Sequence, residues 1–295
     1  MVAVAVIVGA CGGAEDESSP AVTTPASPTP TLTAVPSPLA AGSYALTLDH
    51  GGDARSYLLH VPESYDPSAQ PALVLAFHSR PSTPRVMELL SGLSEKADQE
   101  GFLVAYPEGI RGRSFNTETD SPDDVGFTGA LIDEITMTWG TDPDRVYATG
   151  MSNGAEIIYR LAAEMGGRLA AIAPVSGAPT EPGQIGPATP MSLVTFTGTA
   201  DGAVAIPAAE GLETWRERAG CSAPTVRTHD DGHGTVEIAT SACADGTEVV
   251  WYSVTGMGHA WPGDARVVAS ETAPVIAADV IWDFFERHPR TGGDP

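Results

Sequence analysis

Gly150-Met151-Ser152-Asn153-Gly154 sets a serine between two glycines, where a strand-like run, Arg145-Val146-Tyr147-Ala148-Thr149, meets a helix-like one. This is the pattern of a nucleophile elbow, a strand-to-helix turn so tight that a side chain at either flanking position would clash. It predicts that Ser152 stands exposed at a strand end. A helix over about Asn153 to Met165 would then aim its free N–H groups and positive dipole end at the place where an attacked carbonyl gathers charge. A surface turn is the commoner origin of Gly-x-Ser-x-Gly, so the reading depends on what lies downstream.

A serine hydroxyl is a weak nucleophile unless a base takes its proton and a carboxylate holds that base in the right tautomer. The apolar run Met191 to Phe196 ends in Thr197-Gly198-Thr199-Ala200-Asp201-Gly202, and the run Glu248 to Val254 ends in Gly256-Met257-Gly258-His259-Ala260-Trp261-Pro262-Gly263. Ser152, Asp201 and His259 thus follow one another as nucleophile, acid and base, each just past a strand, where open α/β sheets bind ligands. Taken singly, Asp201 also reads as a turn carboxylate and His259 as a loop histidine. Order and placement together make them the candidate catalytic set. His50, His60 and His288 lie in or at the ends of probable elements, and His78 belongs to another loop.

A length of 295 residues allows one domain with a sizeable core, and alternating strand-like and helix-like runs indicate an α/β sheet. Tyr44 to Leu48 and Ser56 to Val61 read as antiparallel strands joined by His50-Gly51-Gly52-Asp53, leading into a parallel sheet. A last helix over about Thr272 to Arg287 would place Val275, Ile276, Val280, Ile281 and Phe284 on the face that covers it. The net charge of -23, with Lys96 the only lysine, makes nucleic acid and anionic polymers poor partners. His229-Asp230-Asp231-Gly232-His233 has a spacing that suits a metal but also a turn, and no metal is expected.

Residues 1–11 form a short apolar segment ending in Val8-Gly9-Ala10-Cys11, the form of a lipobox whose cysteine takes lipid, and the run is too short to span a membrane. It lacks the basic residues that open a signal peptide, which points to a start further upstream. Residues 12–42, rich in Pro, Thr, Ser and Ala, cannot offset their ordering entropy by burial and read as a disordered tether. Residues 43–290 are the folded domain. With Cys11 lipidated, Cys221 and Cys243 remain as an even pair, and export favours a bridge between them over free thiols.

Further stretches occur in a set order: Ala72 to His78, Gly101 to Gly109, Asp123 to Phe127 leading into Ala130 to Asp133, Tyr159 to Ala162, Gly198 to Asp201, Arg218 to Cys221, and Gly258 to Gly263. With the elbow, they make the chain resemble the esterases of the polyhydroxybutyrate depolymerase family, which includes feruloyl and acetyl-xylan esterases and is similar to LpqC-type lipoproteins. The resemblance covers about Leu73 to His288. It implies an α/β-hydrolase fold with a mostly parallel central sheet flanked by helices, hydrolysis of carboxylic esters without a cofactor, and Ser152, Asp201 and His259 as the triad. It also supports the Cys221–Cys243 bridge.

One departure matters. The family usually follows its equivalent of His78 with glycine-rich sequence whose amide completes the oxyanion hole, whereas this chain reads His78-Ser79-Arg80-Pro81-Ser82. Proline has no N–H, and the lost glycines limit backbone approach. Ser79 or Arg80 is left to supply an amide beside that of Asn153, and the loop predicts a slow enzyme. The Arg80 side chain reads first as a solvated surface charge. Trp261, beside the base, is a candidate substrate contact or simple packing, and Phe115, where relatives tend to have Trp, would form the opposite wall. The expectation is a monomeric extracellular bacterial carboxylesterase, attached to the membrane only through a lipid on Cys11, acting on small or polymeric esters. Acyl transfer to another acceptor and a tethered binding protein that has lost catalysis are the alternatives.

Overall fold

Five strands are buried along their whole length, and they fix the architecture. In the computed structural model, which describes residues 40–110, 114–118, 122–186, 189–230, 232–264 and 274–290, β3 (Leu73–Phe77), β4 (Leu103–Pro107), β5 (Val146–Met151), β6 (Ala171–Val175) and β7 (Ser192–Gly198) are buried throughout. Strands of that kind need cover on both faces, which parallel strands with crossover helices provide. Together with β10 (Glu248–Val254) they pair in parallel in the order β4-β3-β5-β6-β7-β10.

Antiparallel strands extend both edges. β1 (Gly42–His50) and β2 (Asp53–Val61) form the expected hairpin, and β2 lies against β4. Its turn is only Gly51-Gly52, with φ of +62° and +89°, the left-handed pair that a two-residue hairpin turn requires. On the other side β9 (Thr235–Ala242) pairs with β10, and β8 (Thr225–Asp230) closes a sheet of ten strands as an edge exposed along its length.

Successive strand residues face opposite ways, so the sheet divides the core in two. Val74, Ala76 and Val104 pack with Met87 of α1 (Pro84–Ser91), Leu93 of α2 (Leu93–Glu100), and Ile281 and Phe285 of α6 (Ala277–Arg287). Leu73, Leu75 and Phe77 pack with Leu131 of α3 (Asp124–Trp139), Ile158 and Leu161 of α4 (Asn153–Met165), and Trp215 of α5 (Ala205–Arg218). Each fully buried side chain of this size stabilises the fold by roughly 1.5–3 kcal/mol.

The last helix is shorter than its hydrophobic pattern suggests. Ile276 is extended, with φ -103° and ψ 109°, and the Ala277 N–H donates to Pro262 O at 3.0 Å. Helix therefore begins at Ala277, while Val275 and Ile276 still pack against the core from the preceding segment; Thr272 lies outside the described residues. α4 spans the residues expected of it.

Register decides where the loops go. Phe77 lies opposite Gly150. One step further along, Met151, Val175, Phe196 and Tyr252 lie side by side across β5, β6, β7 and β10. The loops that follow β3, β5, β6, β7 and β10 therefore leave the sheet at its carboxyl edge.

Candidate active site

Ser152 is held at φ +56° and ψ -119° between β5 and α4. A non-glycine residue in such a conformation costs of order 1–3 kcal/mol and persists only where its surroundings enforce it. Both flanking glycines belong to that enforcement. A Cβ on Gly150 would lie 2.5 Å from Gly154 O and 2.9 Å from Phe77 O, and one on Gly154 would lie 2.1 Å from Phe77 O. The Ser152 N–H donates to Val175 O at 3.0 Å, and the Ser152 carbonyl accepts from Ala155 and Glu156 as α4 begins. The Asn153 N–H has no acceptor among the described residues, as befits the open end of a helix.

The acid and base candidates meet because β7 and β10 end in register, Gly198 opposite Val254. Gly198 lets their loops touch: a Cβ there would lie 2.0 Å from Met257 O and 2.7 Å from Gly258 O. The Ala200 N–H donates to Met257 O at 3.0 Å, joining the loops further out. Asp201, only 3% exposed, then accepts from His259 Nδ1 with Oδ2 at 2.8 Å, while the His259 side chain remains 42% exposed. With Nδ1–H committed to a buried carboxylate, Nε2 carries the free lone pair and is the basic nitrogen. The Ser152 hydroxyl makes no hydrogen bond to a described residue, and catalytic pairs often close only around substrate.

His78 organises the third side. Its ring is wholly buried; Nε2 accepts from the Gly109 N–H at 3.0 Å, so Nδ1 is the protonated nitrogen and donates to Ser79 O at 2.7 Å. That bond fixes the Ser79–Arg80 peptide. The Ser79 and Arg80 N–H groups are both without an acceptor among the described residues. Across from them, the Asn153 side chain clasps both polar groups of the Phe115 backbone: Oδ1 accepts from its N–H at 2.7 Å and Nδ2 donates to its carbonyl at 3.1 Å. Arg160 of α4 donates to Asn116 O at 3.1 Å, and Asp124 Oδ2 accepts from the Asn116 N–H at 2.7 Å.

Phe115 and Trp261 do not form the walls expected of them. They are 4% and 2% exposed. Phe115 packs edge-on to Phe77 at 5.2 Å and tilted against His78 at 4.6 Å, and Trp261 is part of the core beneath α6. Anchoring by Asn153 turns the Phe115 loop inward, so both aromatics support loops rather than offer an open surface. Cys221 and Cys243 are joined at 1.99 Å. Among the described residues no group of three His, Cys, Asp or Glu side chains could hold a metal, and Asp231, like Cys11, lies outside them.

A carboxylate-oriented imidazole, a strained serine and a set of free amides on one edge of a parallel sheet can carry acyl transfer through the serine. The chain matches no protein-family model. It is 31% identical over 332 aligned positions to the protein named "Putative esterase NocK" of Nocardia uniformis subsp. tsuyamanensis, covering 96% of this chain and 95% of that one. It is 29% identical to poly(3-hydroxyalkanoate) depolymerase C of Paucimonas lemoignei, over 75% of this chain and 62% of the relative. The chain belongs to a family of esterases, and its named relatives include feruloyl esterases, an acetylxylan esterase and a poly(3-hydroxyalkanoate) depolymerase. Feruloyl esterase C of Emericella nidulans is 26% identical over 79% of this chain and 84% of its own. In three dimensions, acetyl xylan esterase from Aspergillus awamori superposes with a TM-score of 0.66 at 16% identity, over 83% of this chain and 99% of the other, which shows the α/β-hydrolase fold.

Two groups at the esterase's site escaped sequence reasoning. The Asn153 side chain is one, since only its amide had a predicted use. Ser176 is the other: wholly buried, it donates from Oγ to Ala260 O at 2.9 Å. The one sequence signal for it is a serine followed by glycine directly after an apolar strand, Val175-Ser176-Gly177, as at the elbow.

Proposed function

We propose that this esterase is a serine carboxylesterase in which Ser152 is the nucleophile, His259 the base and Asp201 the group that orients the base. The observation that carries the reading is the 2.8 Å bond from His259 Nδ1 to the buried Asp201, made on the sheet edge where Ser152 is strained. Ser152 Oγ attacks the ester carbonyl while His259 Nε2 takes its proton, and the resulting imidazolium is stabilised by Asp201. The free amides of Asn153 and of Ser79 or Arg80 hold the oxyanion, each such donor contributing about 3 to 4 kcal/mol. His259 returns the proton to the departing alcohol. It then deprotonates the water that releases the acid from the acyl-enzyme.

The substrate class follows the relatives: feruloyl or acetyl esters of polysaccharide, or hydroxyalkanoate polyesters. One observation narrows it. Among the described arginines and the lysine, Arg80 alone has no carboxylate, carbonyl or phenol partner. An unpaired guanidinium beside the oxyanion loop favours esters that carry a negative charge near the scissile bond. The Cys221–Cys243 bridge favours an oxidising compartment, and with the sequence around Cys11 it supports an exported, lipid-anchored enzyme.

The test is a panel of p-nitrophenyl esters of increasing chain length with methyl ferulate, a polyester film, and a matched hemisuccinate and butyrate pair. Hydrolysis is expected, with the hemisuccinate preferred and the preference lost in Arg80→Gln. Products formed only when a sugar or lipid acceptor is added would assign the enzyme to acyl transfer instead.

A further inference from the structure

Among the described residues, the non-glycine residues with positive φ are Gln70, Ser152 and Ser176. Gln70 is an exposed cap of a short 3-10 helix, and Ser152 is the nucleophile of the reading above. Ser176 is neither a surface turn residue nor a glycine. It stands at φ +46° directly after β6, fully buried, and such a conformation is kept only where something enforces it.

Three hydrogen bonds converge on this point, one from each segment that carries a member of the triad. Val175 O accepts from the Ser152 N–H at 3.0 Å, and the Ser176 N–H donates to Phe196 O at 2.9 Å on the strand that leads to Asp201. The Ser176 hydroxyl donates to Ala260 O at 2.9 Å, one residue beyond His259. Gly177 then passes beneath the elbow, where a Cβ would lie 2.9 Å from Ser152 O and 2.4 Å from the Ala155 Cβ. The bond to Asp201 fixes the tautomer and direction of the imidazole but not its separation from Ser152. Among the described residues, the one hydrogen bond that ties the peptide after His259 to the strand beside the elbow is made by the Ser176 hydroxyl.

We propose that Ser176 is a positioning residue, whose hydroxyl holds the His259 loop at the depth from which Nε2 reaches Ser152 Oγ. The inference rests on the assigned roles of Ser152 and His259. It differs from ordinary satisfaction of a buried hydroxyl in one respect: activity and stability need not move together when it is removed.

Ser176→Gly and Ser176→Ala test it as a pair. Both delete the hydroxyl, but glycine adopts positive φ without cost while alanine does not. Ser176→Gly is expected to melt higher than Ser176→Ala. Both variants should lose tenfold or more in kcat on p-nitrophenyl butyrate, with KM within about twofold and fluorophosphonate labelling slowed in parallel. A kcat loss that follows the melting temperature from one variant to the other, or wild-type kcat in Ser176→Gly, overturns the proposal. Amide hydrogen exchange at Gly258 to Trp261 reads the same anchor without catalysis. Exchange there should quicken in Ser176→Gly while α4 stays protected, and unchanged exchange overturns the anchor even if the enzyme is slow. Should Ser152→Ala keep wild-type activity, the assigned nucleophile is wrong while the exchange result still decides the role of Ser176.

Discussion

Ser79 and Arg80 stand where the family resemblance leads one to expect glycine, and the chemistry of the site turns on what their amides do. From sequence, bulk and the absent proline N–H make the loop a slow one. The folded loop gives a different emphasis: His78 holds the Ser79 carbonyl at 2.7 Å, and the Ser79 and Arg80 amides have no acceptor among the described residues. Rebuilding residues 79–82 as Gly-Cys-Gly-Gly should therefore not raise kcat on a neutral activated ester. Glycine would loosen a loop that is already anchored. A tenfold increase, about 1.4 kcal/mol of barrier, would show that Ser79-Arg80-Pro81 is what limits the enzyme. At this scale the sequence was most legible where sterics leave one choice. Gly150 and Gly154 abut backbone oxygens, so the elbow could be read directly. Ser176 and the Asn153 side chain act through partners 84 and 38 residues away, and no local pattern records such pairings.

Among the elements, the hairpin and α4 were legible because short-range rules govern them: paired glycines for a two-residue turn, and an apolar stripe behind a tight strand end. The start of α6 was not, because hydrophobic spacing continues through Val275 and Ile276 although their backbone is extended. Burial of Trp261 and Phe115 also depended on tertiary contacts. The disulfide joins elements that local rules do not connect. It links Cys221, three residues past the end of α5, to Cys243, immediately after β9, across a sequence separation of 22. Replacing both cysteines with serine should lower unfolding stability by about 3 kcal/mol in the chain-entropy model, measured by urea denaturation. A change within a few tenths of a kcal/mol would mean that the bridged segment is already ordered in the unfolded chain.

For the molecule as a whole, parallel strands bring residues far apart in the chain to one edge. Residues 77, 150, 174 and beyond lie abreast there, so a site made of five loops appears in sequence only as an order of motifs. That order singled out Asp201 and His259 as candidates, and the two side chains are hydrogen-bonded at 2.8 Å. It could not show how the base is held to the elbow. Attachment to the cell through Cys11 is an expectation from the sequence alone, because Cys11 lies outside the described residues. With an intact export signal, the wild-type protein should partition into detergent, and Cys11→Ser should be released or left unprocessed. Equal partitioning of the two would exclude a lipid anchor on Cys11.

An acyl-enzyme on Ser152 requires that His259 activate its hydroxyl. A fluorophosphonate probe reads that activation, because only an activated serine reacts at speed. The wild type should label rapidly at Ser152. Ser152→Ala should not label, and His259→Ala should label far more slowly, each folded and each keeping no more than a few per cent of wild-type kcat on p-nitrophenyl butyrate. Labelling at another residue, or substantial activity in either variant, would contradict it.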